Sequence, residues 1–146
     1  MDTPDASPTH MVLRPRSRLR ERLLLAIFAG GALGALARAA VETAFPATGH
    51  GWPWATFAVN IAGAGLLAYV VTRLQERLPP STYPRPLLGT GLCGALTTFS
   101  TMQIEVIRLV REGHAALAVA YLAASVATGA VVVFLVSALV RRVPAR

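Results

Sequence analysis

Apolar residues fall into four long runs along this chain, at about 23–45, 54–72, 87–109 and 115–140. A helix needs about 20 mostly apolar residues to cross a bilayer, and each run meets or approaches that length. The fourth has 26 residues without a charge. At a rise of 1.5 Å per residue it reaches about 39 Å, so it spans with tilt to spare. Residues 1–22 are different: Pro4, Pro8 and Pro15 mix with Arg14, Arg16, Arg18, Arg20 and Arg22. They read as a disordered basic tail, with Met11 as an alternative start. Residues 46–53 form a short turn, and Trp52 and Trp54 mark an interface belt. Residues 73–86 form a loop rich in proline, and residues 111–114 a short connection.

The first run also has the look of a signal peptide: a basic flank, an apolar core and the small residues Ala35-Leu36-Ala37. Two features argue for a retained span. Gly30 and Gly34 make a G-x-x-x-G spacing suited to close helix packing. Apolar character also resumes beyond Arg38.

The third run is a poor helix. Gly89, Gly91 and Gly94 precede Thr97, Thr98, Phe99, Ser100 and Thr101. Glycine lowers helix stability, and hydroxyls at successive positions point all round a helix rather than along one seam. Irregular backbone survives at membrane depth only where protein buries it or where it lines a cavity. Transporters use such breaks to bind ions. The segment therefore reads as a mid-membrane ion or solute site, or as a helix–helix contact built from small residues and hydroxyls.

The 146-residue composition, 54% hydrophobic and 14% charged with a mean hydropathy of +0.54, is too apolar for a soluble domain. The class is an integral membrane protein of one domain, 23–142. The net charge of +7, from 14 arginines and no lysine, would point to nucleic acid in a soluble protein. Here the arginines flank apolar runs, which is a topology signal, so no nucleic-acid partner is expected. The single cysteine, Cys93, cannot form an internal disulfide and reads as a buried small residue. His10, His50 and His114 are scattered, so no metal or catalytic cluster is visible and no enzyme is expected.

The polar residues within the runs are few. Asn60 suits a bond to a neighbouring helix, worth about 0.6–2 kcal/mol, or an amide N–H offered to an anion. Arg38 and Glu42 share a helix face at i, i+4. Arg38 is costly in lipid, so it snorkels or lines an aqueous vestibule. Tyr121, Ser125 and Gly129 form a narrow polar or small stripe. Asn60, Thr97, Thr98, Ser100, Thr101, Tyr121 and Ser125 are neutral donors, with no mid-membrane carboxylate among them. Such donors suit a small, strongly hydrated anion. Phe99 could meet an anion with its positive ring edge, or simply pack. Four helices are too few to enclose a wide pore, so a site on the third run calls for a second subunit.

Gly91 to Thr101, G-L-C-G-A-L-T-T-F-S-T, with Glu105, resembles the signature of the CrcB/Fluc fluoride channel family. Gly30-Gly-Ala-Leu-Gly-Ala-x-x-Arg38, Ala55-Thr-Phe-Ala-Val-Asn60-x-x-Gly63 and Tyr121-x-x-x-Ser125 resemble its other motifs, in order, on the other runs. The resemblance covers about Gly30 to Val140. It implies an all-α integral membrane fold of four transmembrane helices with a broken third helix. Subunits would assemble as an antiparallel, dual-topology dimer with two fluoride pores. It implies a structural sodium ion held by backbone carbonyls, here those of Gly94 and Thr97. Fluoride would leave the cytoplasm down its gradient, across the cell membrane of a bacterium or archaeon. Asn60, Thr98, Phe99, Ser100, Met102, Tyr121 and Ser125 would line the pore, with Arg38 and Glu105 at its vestibules. Two positions depart from the family pattern. Met102 stands where a second phenylalanine is usual, and Gly129 where a hydroxyl is common.

Four spans put both termini and the middle loop on one side. That side carries eleven arginines: Arg14, Arg16, Arg18, Arg20, Arg22, Arg73, Arg77, Arg85, Arg141, Arg142 and Arg146. The other carries Arg108 and Arg111, with Arg38 near its boundary. The positive-inside rule then predicts one orientation, termini cytoplasmic. An antiparallel homodimer needs both orientations, so the bias favours a heterodimer with an oppositely oriented homologue. Two other classes stay open: a small antiparallel multidrug or guanidinium exporter, and a non-transporting assembly subunit. The exporter needs a glutamate early in the first span, and Glu42 lies at the wrong end.

Overall fold

A computed structural model describes residues 16–46, 51–77 and 83–143. It is all-helical among these residues. Helix α1 is Arg16–Ala44 and α2 is Trp54–Arg77. Helix α3 has a π-wound part, Pro86–Cys93, and one α-helical turn, Gly94–Leu96. Helix α4 is Phe99–Arg111 and α5 is Ala115–Arg142. Three of them (α1, α2 and α5) are long and apolar enough to cross a membrane. Helix α1 begins at Arg16, inside the stretch expected to be tail, and α2 runs on to Arg77, into the expected loop. Residues 1–15 of the tail lie outside the described residues.

Helix α3 opens with proline in its first turn, where a missing N–H costs nothing. Its wide winding carries the Gly94 N–H back five residues to the Gly89 carbonyl. This helix lies directly on α1. Ala26, Gly30 and Gly34, one helical turn apart, form the buried strip of α1. A Cβ at Gly30 would collide with the Leu87 carbonyl oxygen, and one at Gly34 with that of Leu92. From the other side, a Cβ at Gly91 would sit 2.6 Å from the Ile27 carbonyl oxygen. The two backbones touch because neither has a side chain at the crossing.

The second pairing is α2 with α5. Thr72 and Ser137 hydroxyls are 3.5 Å apart, and Arg73 Nη1 donates to the Val143 carbonyl at 2.9 Å. The latter bond puts the C-terminal ends of α2 and α5 on one side, as alternating crossings require. Between α4 and α5 the chain reverses at Gly113, whose φ of 85° favours glycine. His114 N–H donates to the Leu109 carbonyl at 2.8 Å and Gly113 N–H to that of Val110 at 3.1 Å. Those are the two bonds of a Schellman cap. The outward coat is apolar, with Phe28 75%, Leu36 67% and Phe134 72% exposed, as suits lipid contact.

Gly34→Ala drives a methyl into a carbonyl oxygen that cannot swing aside, and overpacking of this kind costs about 1–3 kcal/mol. Gly129→Ala is the control, since its Cβ meets only Ile61 Cδ1 at 3.9 Å. Thermal melts of the two purified variants should separate clearly, with Gly34→Ala the lower. Equal melting temperatures would contradict the close crossing.

Candidate functional site

Helical winding stops at Leu96. Thr97 (φ −79°, ψ 150°) and Thr98 (φ −144°, ψ 117°) are extended, and winding resumes at Phe99. The backbone groups stranded by this interruption find particular partners. Asn60 on α2 takes both polar groups of Thr98: Nδ2 donates to its carbonyl at 3.0 Å, and Oδ1 accepts from its N–H at 2.7 Å. Thr97 turns back, its N–H and its hydroxyl both donating to the Cys93 carbonyl. The Thr98 hydroxyl caps α4, accepting from Thr101 N–H at 3.2 Å. It also donates to Thr101 Oγ1 at 2.9 Å and lies 3.3 Å from Ser100 Oγ. Arg38 reaches across from α1: Nε donates to the Ala95 carbonyl at 3.2 Å, while Nη1 pairs with Glu42 at 3.3 Å. Gly63 makes room, since a Cβ there would strike Thr97 Cγ2.

The carbonyls of Gly94 and Thr97 are among those of the interruption that lose their usual helical donors. A continuous helix would give the Thr98 N–H to Gly94 and the Thr101 N–H to Thr97. Here those hydrogens go to Asn60 Oδ1 and Thr98 Oγ1. Gly94 is exposed, with no heavy atom within 4 Å of where its Cβ would stand.

A second polar cluster lies one turn further along. Thr56 and Asn60 on α2, Thr101 and Glu105 on α4, and Tyr121 and Ser125 on α5 are all i, i+4 pairs, each on one face of its helix. Thr56 Oγ1 donates to Glu105 Oε1 at 2.6 Å, and the Tyr121 hydroxyl to Glu105 Oε2 at 2.8 Å. Thr56 and Tyr121 are 1% and 0% exposed. Ser125 turns its hydroxyl hydrogen to its own helix, onto the Tyr121 carbonyl at 2.7 Å.

Phe99 is 67% exposed and, with Asn60, Thr97 and Thr98, lines an open cavity of about 210 Å³. Ser100 is exposed beside it. Met102 is buried inside the chain, so positions 99 and 102 do not share an outward face. Thr56 was missed by sequence reasoning. The signal that could have found it is its i, i+4 spacing to Asn60, which mirrors Tyr121 and Ser125. The expected inventory of neutral donors also needs correction, because the fold draws the Glu105 carboxylate into it. Of the two tryptophans expected at an interface belt, Trp54 is 65% exposed, while Trp52 is half-buried against Tyr121. Among the described residues no group of three potential metal-binding side chains occurs.

A multi-pass helical membrane protein with polar groups gathered at an interrupted helix belongs in class with ion conductors. The comparisons make the class specific. A family profile described as CrcB-like protein, Camphor Resistance (CrcB), matches residues 25–137. The Fluoride-specific ion channel FluC 1 of Mycobacterium bovis is 58% identical over 125 residues, covering 86% of this chain and 95% of that protein. The Mycobacterium tuberculosis protein of the same name gives the same figures. The Fluoride-specific ion channel FluC of Chlorobaculum tepidum is 41% identical over 111 residues, 76% of this chain and 88% of its own. The chain belongs to the CrcB-like family, a family of ion channels and not of enzymes.

Asn60→Ala strands the N–H of Thr98, and a buried unpaired group costs about 1–3 kcal/mol. Its melting temperature should fall well below that of Asn60→Asp, which still accepts from the Thr98 N–H. If the two variants melt together, Asn60 does not hold the interruption.

Proposed function

We propose that this protein is a fluoride-selective channel that lets fluoride leave the cytoplasm down its gradient and so relieves fluoride toxicity. One observation carries the reading: the amide and hydroxyl groups of Asn60, Thr97 and Thr98 gather at the open cavity beside Phe99, with Ser100 and Thr101 hydrogen-bonded to Thr98, and a second polar cluster of Thr56, Tyr121 and Ser125 lies one turn further along. Fluoride is small and firmly hydrated, so a path for it must replace water with close donors. Neutral hydroxyls do this without trapping the ion by full charge. The amide of Asn60 has a second N–H to offer beyond the one given to Thr98. Phe99 presents a ring whose edge is positive. The mycobacterial relatives bear the name of fluoride channels, which supports the same cargo.

In this reading α3 and α4 make one interrupted crossing, so 23–142 is a four-span membrane domain behind a basic tail. The interruption, with Phe99 and Gly94 outward, would face lipid in a lone subunit, and lipid cannot satisfy stranded carbonyls. A second, oppositely oriented four-helix subunit covers it. The Gly94 and Thr97 carbonyls, relieved of their helical donors, fit a hard cation such as sodium, which prefers oxygen ligands. That ion would supply fixed positive charge joining the two interruptions. Glycine at position 94 lets a partner backbone come close. Arg38 braces the end of α3 at the Ala95 carbonyl, and Glu105 locks α2, α4 and α5 at one end of the file.

The eleven arginines on the side of the termini assign that side to the cytoplasm of a cell membrane. They also favour an oppositely biased homologue over a second copy as the partner.

Efflux of fluoride from liposomes, with chloride as control, tests the function. Rapid fluoride-selective efflux is expected from the chain, alone or co-reconstituted with such a homologue. Silence of both preparations, with well-folded protein, rejects the channel. Reporter tags at the termini test the orientation, and equal signals from both membrane faces would remove the case for a heterologous partner.

A further inference from the structure

The geometry points to Trp52 as a buried fluoride-binding donor beside Tyr121, at the end of the polar residues away from the termini. This rests on the fluoride reading above and adds a residue to it. Trp52, Thr56 and Asn60 follow one another at four-residue steps, with Trp52 just ahead of α2. The Trp52 ring meets Tyr121 edge-to-face, with centroids 5.4 Å apart and planes at 85°. It meets Phe57 in the same manner at 5.6 Å and 76°. Its ring is thus fixed against the very tyrosine whose hydroxyl holds Glu105.

The indole Nε1–H is buried and has no hydrogen-bond partner. It is the one such side-chain atom among the described residues. An indole N–H is a donor only, so its missing partner is an acceptor. The Glu105 carboxylate, which accepts from Thr56 and Tyr121, is not within hydrogen-bond reach of it. A buried donor left unpaired costs free energy, and retaining one beside an anion path makes sense if the passing anion is its acceptor. Fluoride, the hardest and most strongly accepting of the halides, fits best. Phenylalanine or leucine would fill the same aromatic niche with no stranded hydrogen.

The protein has two tryptophans, so a sample labelled with 15N-tryptophan gives two indole resonances. In nanodiscs, with any partner that efflux requires, sodium fluoride should move the Trp52 resonance saturably downfield. Sodium chloride at equal ionic strength should not, and exposed Trp54 should stay still in both. Trp52→Phe keeps the ring and removes the donor. It should melt like the parent but lower efflux at low fluoride by about three- to tenfold, the worth of one hydrogen bond. The proposal is overturned if a preparation that conducts fluoride shows a Trp52 resonance indifferent to it, as water or a partner-subunit acceptor would leave it. An equal response to chloride, or parental efflux from folded Trp52→Phe, also overturns it. If that variant fails to fold, the titration of the parent protein decides alone. Absence of selective efflux from the parent instead removes the fluoride reading itself.

Discussion

No backbone N–H or carbonyl can be left without a partner in hydrocarbon, and this structure turns on how it meets that rule at Thr97 and Thr98. Two extended residues between α3 and α4 release a turn's worth of groups. Asn60 substitutes for the missing helix at Thr98, acting as acceptor and donor at once. The Thr98 hydroxyl substitutes again at Thr101 N–H, and Arg38 takes the Ala95 carbonyl. Three helices are therefore tied to the interruption by hydrogen bonds. A change in the position of any one of them is felt at the others.

Those bonds reach only because the helices stand unusually close. Gly30, Gly34 and Gly91 let the α1 and α3 backbones touch, and Gly63 admits the Thr97 methyl against α2. With ordinary side chains at the crossing, the α1 axis would retreat and Arg38 would no longer reach Ala95. The glycines thus serve the polar site at one remove. They create the distances at which a short asparagine and a single guanidinium can serve as backbone partners.

The long apolar helices α1, α2 and α5 and the odd character of the third run were legible in the sequence, because length, apolar content and glycine spacing are local signals. The boundaries drifted where polar residues continue a helix past its apolar run, as at Arg16 and Arg77. Asn60 was seen as either a tie between helices or an anion donor, and its bidentate bond to Thr98 engages it in the first role with one N–H to spare. Thr56 and Glu105 escaped notice as a pair for a physical reason. They lie 49 residues apart, and only the crossing of α2 with α4 and α5 makes them neighbours. Met102 was expected to line the pore at a position where a second phenylalanine is usual; in this chain it is 4% exposed while Phe99, one turn before it, is 67% exposed, because α4 packs its Met102 side against the neighbouring helices.

The burial pattern also separates a filled interior from polar groups at the surface. Thr56, Val59, Met102, Leu109, Ala118 and Tyr121 fill the space among α2, α4 and α5. A tunnel down the middle of one chain would have to displace them. The polar groups with room beside them are instead at the surface, where Asn60, Thr97, Thr98 and exposed Phe99 border an open cavity. An open polar groove in lipid is unstable, but one closed by a second protein surface is a pore. On the proposed reading, then, a chain this small conducts only as half of something larger. What it would bring to that assembly is one wall of polar groups, held in place by the bonds that Asn60 makes between α3 and α4.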